Sequence, residues 1–113
     1  MAADAHPYPI REGSQSVIYG RATADSGTLT IQAGGTYTLY DKTGAIVTGH
    51  SAQAVTGYDS TAAAAPRVWK NLDFAAIASG EYHITFKFTA LGSDGMTRTY
   101  EPSVFLLVKE AYQ

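Results

Sequence analysis

Cysteine is absent from this sequence of 113 residues. Its absence excludes disulfide bonds, thiol nucleophiles and thiolate metal sites. Such a composition fits a reducing compartment. A chain of this length buries roughly 65% of its unfolded surface, which suffices for a core without covalent cross-links. The length therefore predicts one self-sufficient folding domain.

Basic clusters and long apolar runs are missing as well. The eight lysine and arginine residues are spread along the chain and the formal net charge is −2, which argues against binding to nucleic acid. No stretch approaches the ~20 apolar residues of a membrane span. A signal peptide is not predicted, because Asp4, Pro7 and Pro9 interrupt the N-terminus. We expect a protein that is made in the cytosol and stays there unless an assembly carries it out.

Helical periodicity is lacking too, and the residues that are present favour strands and turns. Eleven glycines, eight tyrosines and many threonines make up this composition. About 7–8 short strands with turn signals between them predict an all-β protein, an antiparallel β-sandwich. Residues 1–13 contain two prolines and predict a mobile N-terminal arm without regular pairing, whereas residues 14–113 predict a single β-sandwich domain.

Glycine and aspartate mark the predicted turns. Residues 41–44 are typical of a hairpin turn with Asp first and Gly last, and the paired glycines 34–35 predict another turn. Residues 59–67 predict a loop, and residues 74–80 a short helical corner. The predicted strands occupy residues 14–23, 28–33, 36–41, 45–50, 53–58, 68–74, 81–88 and 97–109.

The clearest alternation lies in residues 81–88. Apolar and polar side chains take turns there, which predicts a strand with one buried face and one wet face. The buried set is Tyr82, Ile84, Phe86 and Phe88, and the wet set is Glu81, His83, Thr85 and Lys87.

The last predicted strand is apolar on both faces. Val104, Leu106 and Val108 share one face, and Phe105 and Leu107 share the other. In a two-layer protein only one of these faces can pack in the core. The other face must then be covered by the arm, a loop or another subunit. An exposed apolar surface usually marks an interface.

The pairing of this strand with residues 81–88 decides which face is core. A two-residue turn at Asp94-Gly95 would place Phe105 in the core together with a glutamate, whose charge is costly there. We therefore predict an irregularity near Glu101-Pro102, since proline cannot donate to the ladder and a one-residue slip reverses every side chain beyond it. Phe105 and Leu107 then face outward, against the arm or a second subunit, and are the predicted interface residues.

Residue types that carry chemistry are present but not clustered. The three histidines are too far apart in the sequence for a metal motif. Glu81 and Glu101 are expected to form a solvated pair at a sheet edge rather than two catalytic carboxylates flanking a cleft. We predict no metal, no cofactor and no catalytic residue, and hence no enzyme. The histidines are His6, His50 and His83.

One aromatic pair flanks the longest predicted loop. Tyr58 and Trp69 are candidates for a platform on which a sugar ring could stack. The alternative places Trp69 in the core, where a sandwich of this size often buries its tryptophan, and we favour this interpretation. The role of Tyr58 stays open. A glycan is therefore the second-ranked partner, after a protein or a second copy of the chain.

The stretch "ASGEYHITF", residues 78–86, resembles the tyrosine corner of immunoglobulin-like domains. Gly80 and Tyr82 match the positions of the glycine and tyrosine in that corner. The resemblance implies that the Tyr82 hydroxyl bonds back to the main chain and pins the corner. Ile84 stands where antibody domains have cysteine and Ala78 where an aspartate is common, so the resemblance implies a generic immunoglobulin-like sandwich and not an antibody-type domain.

The wider order of segments resembles small immunoglobulin-like accessory proteins of phages and prophages, which are associated with tails or heads. This resemblance implies a structural or adhesive role. We expect a non-catalytic structural or assembly module of a phage-type particle that acts through a protein–protein interface. The alternative is a carbohydrate-binding or adhesion module that uses loop aromatics. The matching segments are residues 37–44, 80–88, 93–95 and 103–108.

Overall fold

The computed structural model describes residues 4–5 and 9–110. His6, the histidine of the predicted arm, lies outside the described residues. Within them the chain forms strands and turns without a helix, and none of these residues belongs to a helix that could cross a membrane. The strands are β1 (Asp4–Ala5), β2 (Ile10–Arg11), β3 (Gln15–Arg21), β4 (Leu29–Asp41), β5 (Gln53–Ala54), β6 (Gly57–Tyr58), β7 (Arg67–Asp73), β8 (Gly80–Gly92), β9 (Thr97–Tyr100) and β10 (Ser103–Lys109).

The strands form two sheets that share one core. The large sheet has the order β1-β10-β8-β4-β5, with β2 beside β10 and β9 beside β8, and the small sheet has the order β3-β7-β6. Buried side chains from both sheets form a single hydrophobic cluster. The prediction of an all-β, sandwich-like protein is confirmed at this level. The core includes Ile18, Val68 and Leu72 from the small sheet and Leu39, Ile84, Phe86, Leu106 and Val108 from the large sheet.

The paired glycines do not form the predicted turn. Residues 28–33 and 36–41 were expected to be two strands, but β4 runs from Leu29 to Asp41 and shifts its register against β8 between Ile31 and Thr36. Gly35 has a φ of 74°, and a Cβ atom there would lie 2.0 Å from the Lys87 carbonyl oxygen. The glycines therefore allow a bulge that approaches β8 closely, instead of a reversal of the chain.

The hairpin turn at residues 41–44 is confirmed. The Gly44 N–H donates to the Asp41 carbonyl at 3.0 Å. The Asp41 carboxylate accepts hydrogen bonds from the Thr43 hydroxyl at 2.7 Å, the Thr43 N–H at 2.9 Å and the Ala45 N–H at 3.1 Å. These bonds, that of the Thr43 hydroxyl above all, lower the pKa of Asp41.

The corner before β8 is a turn rather than the predicted helical corner. The Ile77 N–H donates to the Phe74 carbonyl at 3.2 Å, and no further helical turn follows. The side chains of Phe74 and Ile77 are both buried, so packing in the core stabilises this short segment without a helix. The hydroxyl of Tyr82 donates to the Ala78 carbonyl at 2.7 Å, which confirms the hydrogen bond expected from the resemblance.

We expect Tyr82→Phe to lower the free energy of unfolding by ~1 kcal/mol, the usual net effect of losing one hydrogen bond. Urea denaturation followed by circular dichroism measures it. Tyr100→Phe is the matched control, because within the described residues the Tyr100 hydroxyl makes no hydrogen bond. Equal denaturation midpoints for wild type and Tyr82→Phe would show that the corner bond contributes nothing.

The predicted arm takes part in the large sheet. β1 and β2 both pair parallel with β10, through Ala5 with Phe105 and Ile10 with Val108. Ile10 is buried in the core. The expectation that the two prolines exclude regular pairing is wrong at these positions, because the paired residues lie on either side of the prolines and retain their own N–H groups.

The hairpin between β8 and β9 closes with a three-residue turn, Ser93 to Gly95. The Gly92 N–H donates to the Met96 carbonyl at 2.8 Å, and the Gly95 N–H donates to the Gly92 carbonyl at 2.9 Å. The Ser93 N–H donates to the Thr28 carbonyl at 2.9 Å, and the Ser93 hydroxyl accepts from the Thr28 N–H at 3.1 Å. These contacts stabilise a turn of three residues, one more than the two that were predicted.

The extra turn residue shifts the pairing of β8 with β9 and β10 by one residue. This is the slip that was predicted near Glu101-Pro102. Phe88 pairs with Tyr100 before Glu101-Pro102, and Ile84 pairs with Val104 after it, with the same offset. The strand is interrupted at Glu101-Pro102, yet its register is unchanged across the interruption. The strand is thus irregular where the irregularity was predicted, but the one-residue slip occurs in the turn and not at Glu101-Pro102.

The predicted orientation of the last strand is confirmed. Val104, Leu106 and Val108 are buried, whereas Phe105 is 42% and Leu107 39% exposed. β10 thus contributes one face to the core and presents an apolar face to solvent.

Candidate interaction surfaces

Four side chains form a row across the outer face of the large sheet. Register pairs join Ile46 to Tyr40, Tyr40 to His83 and His83 to Phe105. Paired residues of neighbouring strands lie on the same sheet face. Leu107 follows on this face of β10, and we call these five residues the large-sheet patch.

The large-sheet patch has two stacked rings at its centre and apolar side chains at its ends. The rings of Tyr40 and His83 are stacked, with centroids 4.8 Å apart and an interplanar angle of 13°. Ile46 at one end is 50% exposed. Beside the row, Lys42 Nζ lies 3.7 Å from Glu81 Oε2 in an exposed ion pair, which contributes little to stability. Exposed apolar side chains at the ends of a row, with two half-buried rings between them, are typical of an interaction site.

Tyr58 and Trp69 do not form the predicted platform. Gly57 pairs with Trp69, and Tyr58 pairs with the buried Val68. Because side chains alternate along a strand, Tyr58 faces inward and packs against the core, while Trp69 faces outward. The favoured interpretation of Trp69 as a core residue is therefore wrong. Val68 and Leu72 fill the inner face of β7 and leave Trp69 on the outer face.

Trp69 instead belongs to a surface that the sequence analysis missed. Three cross-strand pairs of β3 and β7 lie side by side on the outer face of the small sheet. The rings of Tyr19 and Trp69 are 6.1 Å apart and tilted by 56°, and Tyr19 is 47% exposed. The alternation in residues 15–21 was the available signal, but it does not say which strand pairs with β3. This small-sheet patch consists of Arg21 with Arg67, Tyr19 with Trp69, and Val17 with Asn71.

The charged end of the small-sheet patch is held by one aspartate. The Arg67 Nε donates to Asp59 Oδ2 at 3.1 Å, and the Arg67 backbone N–H donates to the same oxygen at 3.0 Å. The hydrogen bond from the Arg67 side chain lowers the pKa of Asp59 and raises that of Arg67. The guanidinium carbon of Arg67 also lies 4.9 Å from the centroid of the Tyr19 ring, in a cation–π contact.

The histidines have separate environments. His50 Nδ1 is hydrogen-bonded to the Tyr37 hydroxyl at 2.8 Å. Burial, with the charge of Lys70 as a second cause, lowers the pKa of His50 and so favours its neutral form. His83 stacks on Tyr40 in the large-sheet patch. Among residues 4–5 and 9–110, no group of three or more histidine, cysteine, aspartate or glutamate residues is placed to hold a metal ion.

The predicted carboxylate pair is not formed as expected. Glu81 lies on β8, pairs with Leu107 in the register and forms the ion pair with Lys42. Glu101 lies between β9 and β10 and is exposed. A different carboxylate, Asp94, lines a surface depression and is ion-paired with Arg98 at 2.9 Å.

The described fold defines the class, an all-β protein with two sheets around one core. No family model, curated protein or solved structure matches the chain.

Proposed function

We propose that this protein is a non-catalytic structural or assembly module that acts through a protein–protein interface on the large-sheet patch. The carrying observation is the row of Ile46, Tyr40, His83 and Phe105, with Leu107 beside it, on the solvent side of the large sheet. Burial of exposed apolar surface stabilises association by roughly 25 cal/mol per Å² before the costs of ordering are subtracted.

The partner that fits this row best is a second copy of the chain. Homo-oligomers are mostly two-fold symmetric, and their interfaces are self-complementary. The row has an aliphatic or aromatic residue at each end and two stacked rings between them. A two-fold axis parallel to the strands would bring Ile46 of one copy against Phe105 of the other. The same axis would bring Tyr40 of one copy against His83 of the other, where a hydroxyl and an imidazole can form a hydrogen bond.

The proposed setting is a phage-type particle, into which the protein is incorporated after synthesis in the cytosol. Support comes from the resemblance to immunoglobulin-like accessory proteins of phages and prophages. The bond from the Tyr82 hydroxyl to the Ala78 carbonyl matches the tyrosine corner of such domains and supports an immunoglobulin-like sandwich. Fold alone does not decide function, so the interface carries the proposal.

We expect Phe105→Glu to weaken self-association at least about tenfold, because a charge buried against an apolar partner surface costs more than ~1.4 kcal/mol. The side chain is exposed in the single chain, so the variant should keep its fold. Light scattering after size-exclusion chromatography measures the oligomer, and circular dichroism reports the fold.

Leu91→Glu is the matched control for this test. Leu91 is also exposed on β8 of the large sheet, but it pairs with Thr30 and Thr97 and lies away from the patch. It should associate as wild type does. A wild-type chain that is monomeric at every accessible concentration contradicts the two-fold partner, and a Phe105→Glu chain that is unfolded contradicts the surface role of Phe105.

A further inference from the structure

The small-sheet patch lies on a different sheet from the proposed interface and has a different chemistry. Its three cross-strand pairs are ordered along the strands as two arginines, then two aromatic rings, then Val17 with Asn71. Cation, ring and amide thus lie in one strip. A protein interface core is poor in charge, whereas this strip begins with two cations.

Gly57 determines how the tryptophan lies on this surface. A Cβ atom at Gly57 would come within 2.8 Å of Cζ2 of Trp69. The indole ring therefore extends over β6 on the outer face of the sheet, into space that any other residue at position 57 would fill. Tyr19 lies on the other side of Trp69, with its ring tilted by 56° to the indole.

The arginine pair is short of negative charge. Arg21 and Arg67 face each other in the register, and like charges placed opposite each other destabilise a sheet. Asp59 forms an ion pair with Arg67 at 3.1 Å, and its charge also interacts with Arg21 at longer range, so one carboxylate serves two arginines. Among the described residues, no carboxylate lies within 4.0 Å of the charged group of Arg21. A bound carboxylate would offset the second arginine, and guanidinium groups match carboxylates in shape and charge.

We propose that the small-sheet patch binds a carboxylate-bearing sugar ring of an acidic polysaccharide. The apolar C–H face of the sugar packs on the outward-facing indole of Trp69, and the ring of Tyr19, tilted by 56° to the indole, borders the site. Its carboxylate binds Arg21, while Arg67 is held in place by Asp59. The exposed Asn71 at the far end of the strip offers an amide to the hydroxyl groups of the next sugar.

Trp69 is the single tryptophan of the chain, so its fluorescence reports binding at this patch directly. The probes are oligosaccharides of galacturonate, glucuronate and sialic acid, with the uncharged galactose and glucose oligomers as references. At least one acidic oligosaccharide should cause a saturable change in emission, with an affinity about tenfold or more above that of its uncharged reference, a difference of ~1.4 kcal/mol.

Two variants localise the binding, and a third is the control. Arg21→Gln should weaken the acidic sugar at least about tenfold but leave the uncharged one unchanged, because only the carboxylate contact is lost. Tyr19→Ala should weaken both, because the aromatic contact surface beside Trp69 is reduced. Lys87→Gln removes an exposed cation from the large sheet and should leave binding unchanged. Circular dichroism of each variant confirms that the fold is kept.

Several results would overturn the proposal. The first is that no acidic oligosaccharide gives a saturable response. The second is that acidic and uncharged oligomers bind with equal affinity. The third is that wild type and Arg21→Gln bind the acidic oligomer with equal affinity. An acidic peptide or dextran sulfate that binds as tightly as the acidic sugars would also overturn it, since the patch would then recognise charge alone. None of these outcomes bears on the oligomer formed through the large-sheet patch.

Discussion

Phe86→Ala is expected to lower the free energy of unfolding by about 3–5 kcal/mol, the range for removing a buried aromatic ring. Phe86 is fully buried and extends from the large sheet to Gly20 of the small sheet, where a Cβ atom would lie 2.4 Å from its Cδ2. The ring fills the space that the glycine leaves between the sheets. Because domains of this size are stable by only about 5–15 kcal/mol, the loss should be obvious in urea denaturation.

Gly20→Ala provides the matched test of this fit. In the wild type the added methyl group forces the ring of Phe86 to move, at a cost of about 1–3 kcal/mol. In the Phe86→Ala background the same methyl group enters empty space and should be neutral or stabilising, since alanine in a strand is better than glycine by roughly 0.5–1 kcal/mol. Additive effects of the two substitutions would show that the ring and Gly20 are not in contact.

Gly35→Ala should lower the free energy of unfolding by about 2–5 kcal/mol. A left-handed backbone costs an alanine about 1–2 kcal/mol. In addition, its Cβ would overlap the Lys87 carbonyl oxygen at 2.0 Å, so that β4 or β8 must shift, at a further cost of about 1–3 kcal/mol. Chemical denaturation of the purified variant measures the sum.

Gly44→Ala separates the two costs. Gly44 also has a positive φ, 86°, but an added Cβ meets nothing within 4 Å. It should therefore lose only the ~1–2 kcal/mol of backbone strain. If Gly35→Ala and Gly44→Ala are equally destabilised, the close approach between the bulge of β4 and the main chain of β8 is contradicted.

The features that could be predicted from the sequence are those determined by neighbouring residues. Alternation assigned Ile84 and Phe86 to the core, and the cost of a buried glutamate assigned Phe105 to the surface. The turn at residues 41–44 follows from an aspartate and a glycine three positions apart, whose hydrogen bonds are all local.

The features that could not be predicted depend on contacts between distant segments. Two adjacent glycines permit a turn or a bulge, and the pairing of residues 29–41 with β8 selects the bulge. The extra turn residue Ser93 is held by Thr28, which is 65 positions away. Tyr58 and Trp69 were candidates for one platform because both flank a loop, with Trp69 favoured as a core residue, but the register of β6 against β7 decides their faces.

The candidate site shows the same division. Phe105 and Leu107 were identified because both faces of their own strand are apolar. Ile46, Tyr40 and His83 were missed as members of the same row, because each belongs to a segment with unremarkable composition and only strand pairing brings them together. The small-sheet patch was missed for the same reason, since it requires the register of β3 against β7.

The pairing of β1 and β2 with β10 has a consequence for synthesis on the ribosome. Residues near the start of the chain must wait for residues near its end, and such long-range pairing slows folding. β10 also supplies Phe105 and Leu107, so the large-sheet patch is incomplete until β10 has left the exit tunnel. A nascent chain whose β10 has not yet emerged thus lacks the surface that we propose for pairing, so we expect association only after that strand is in place.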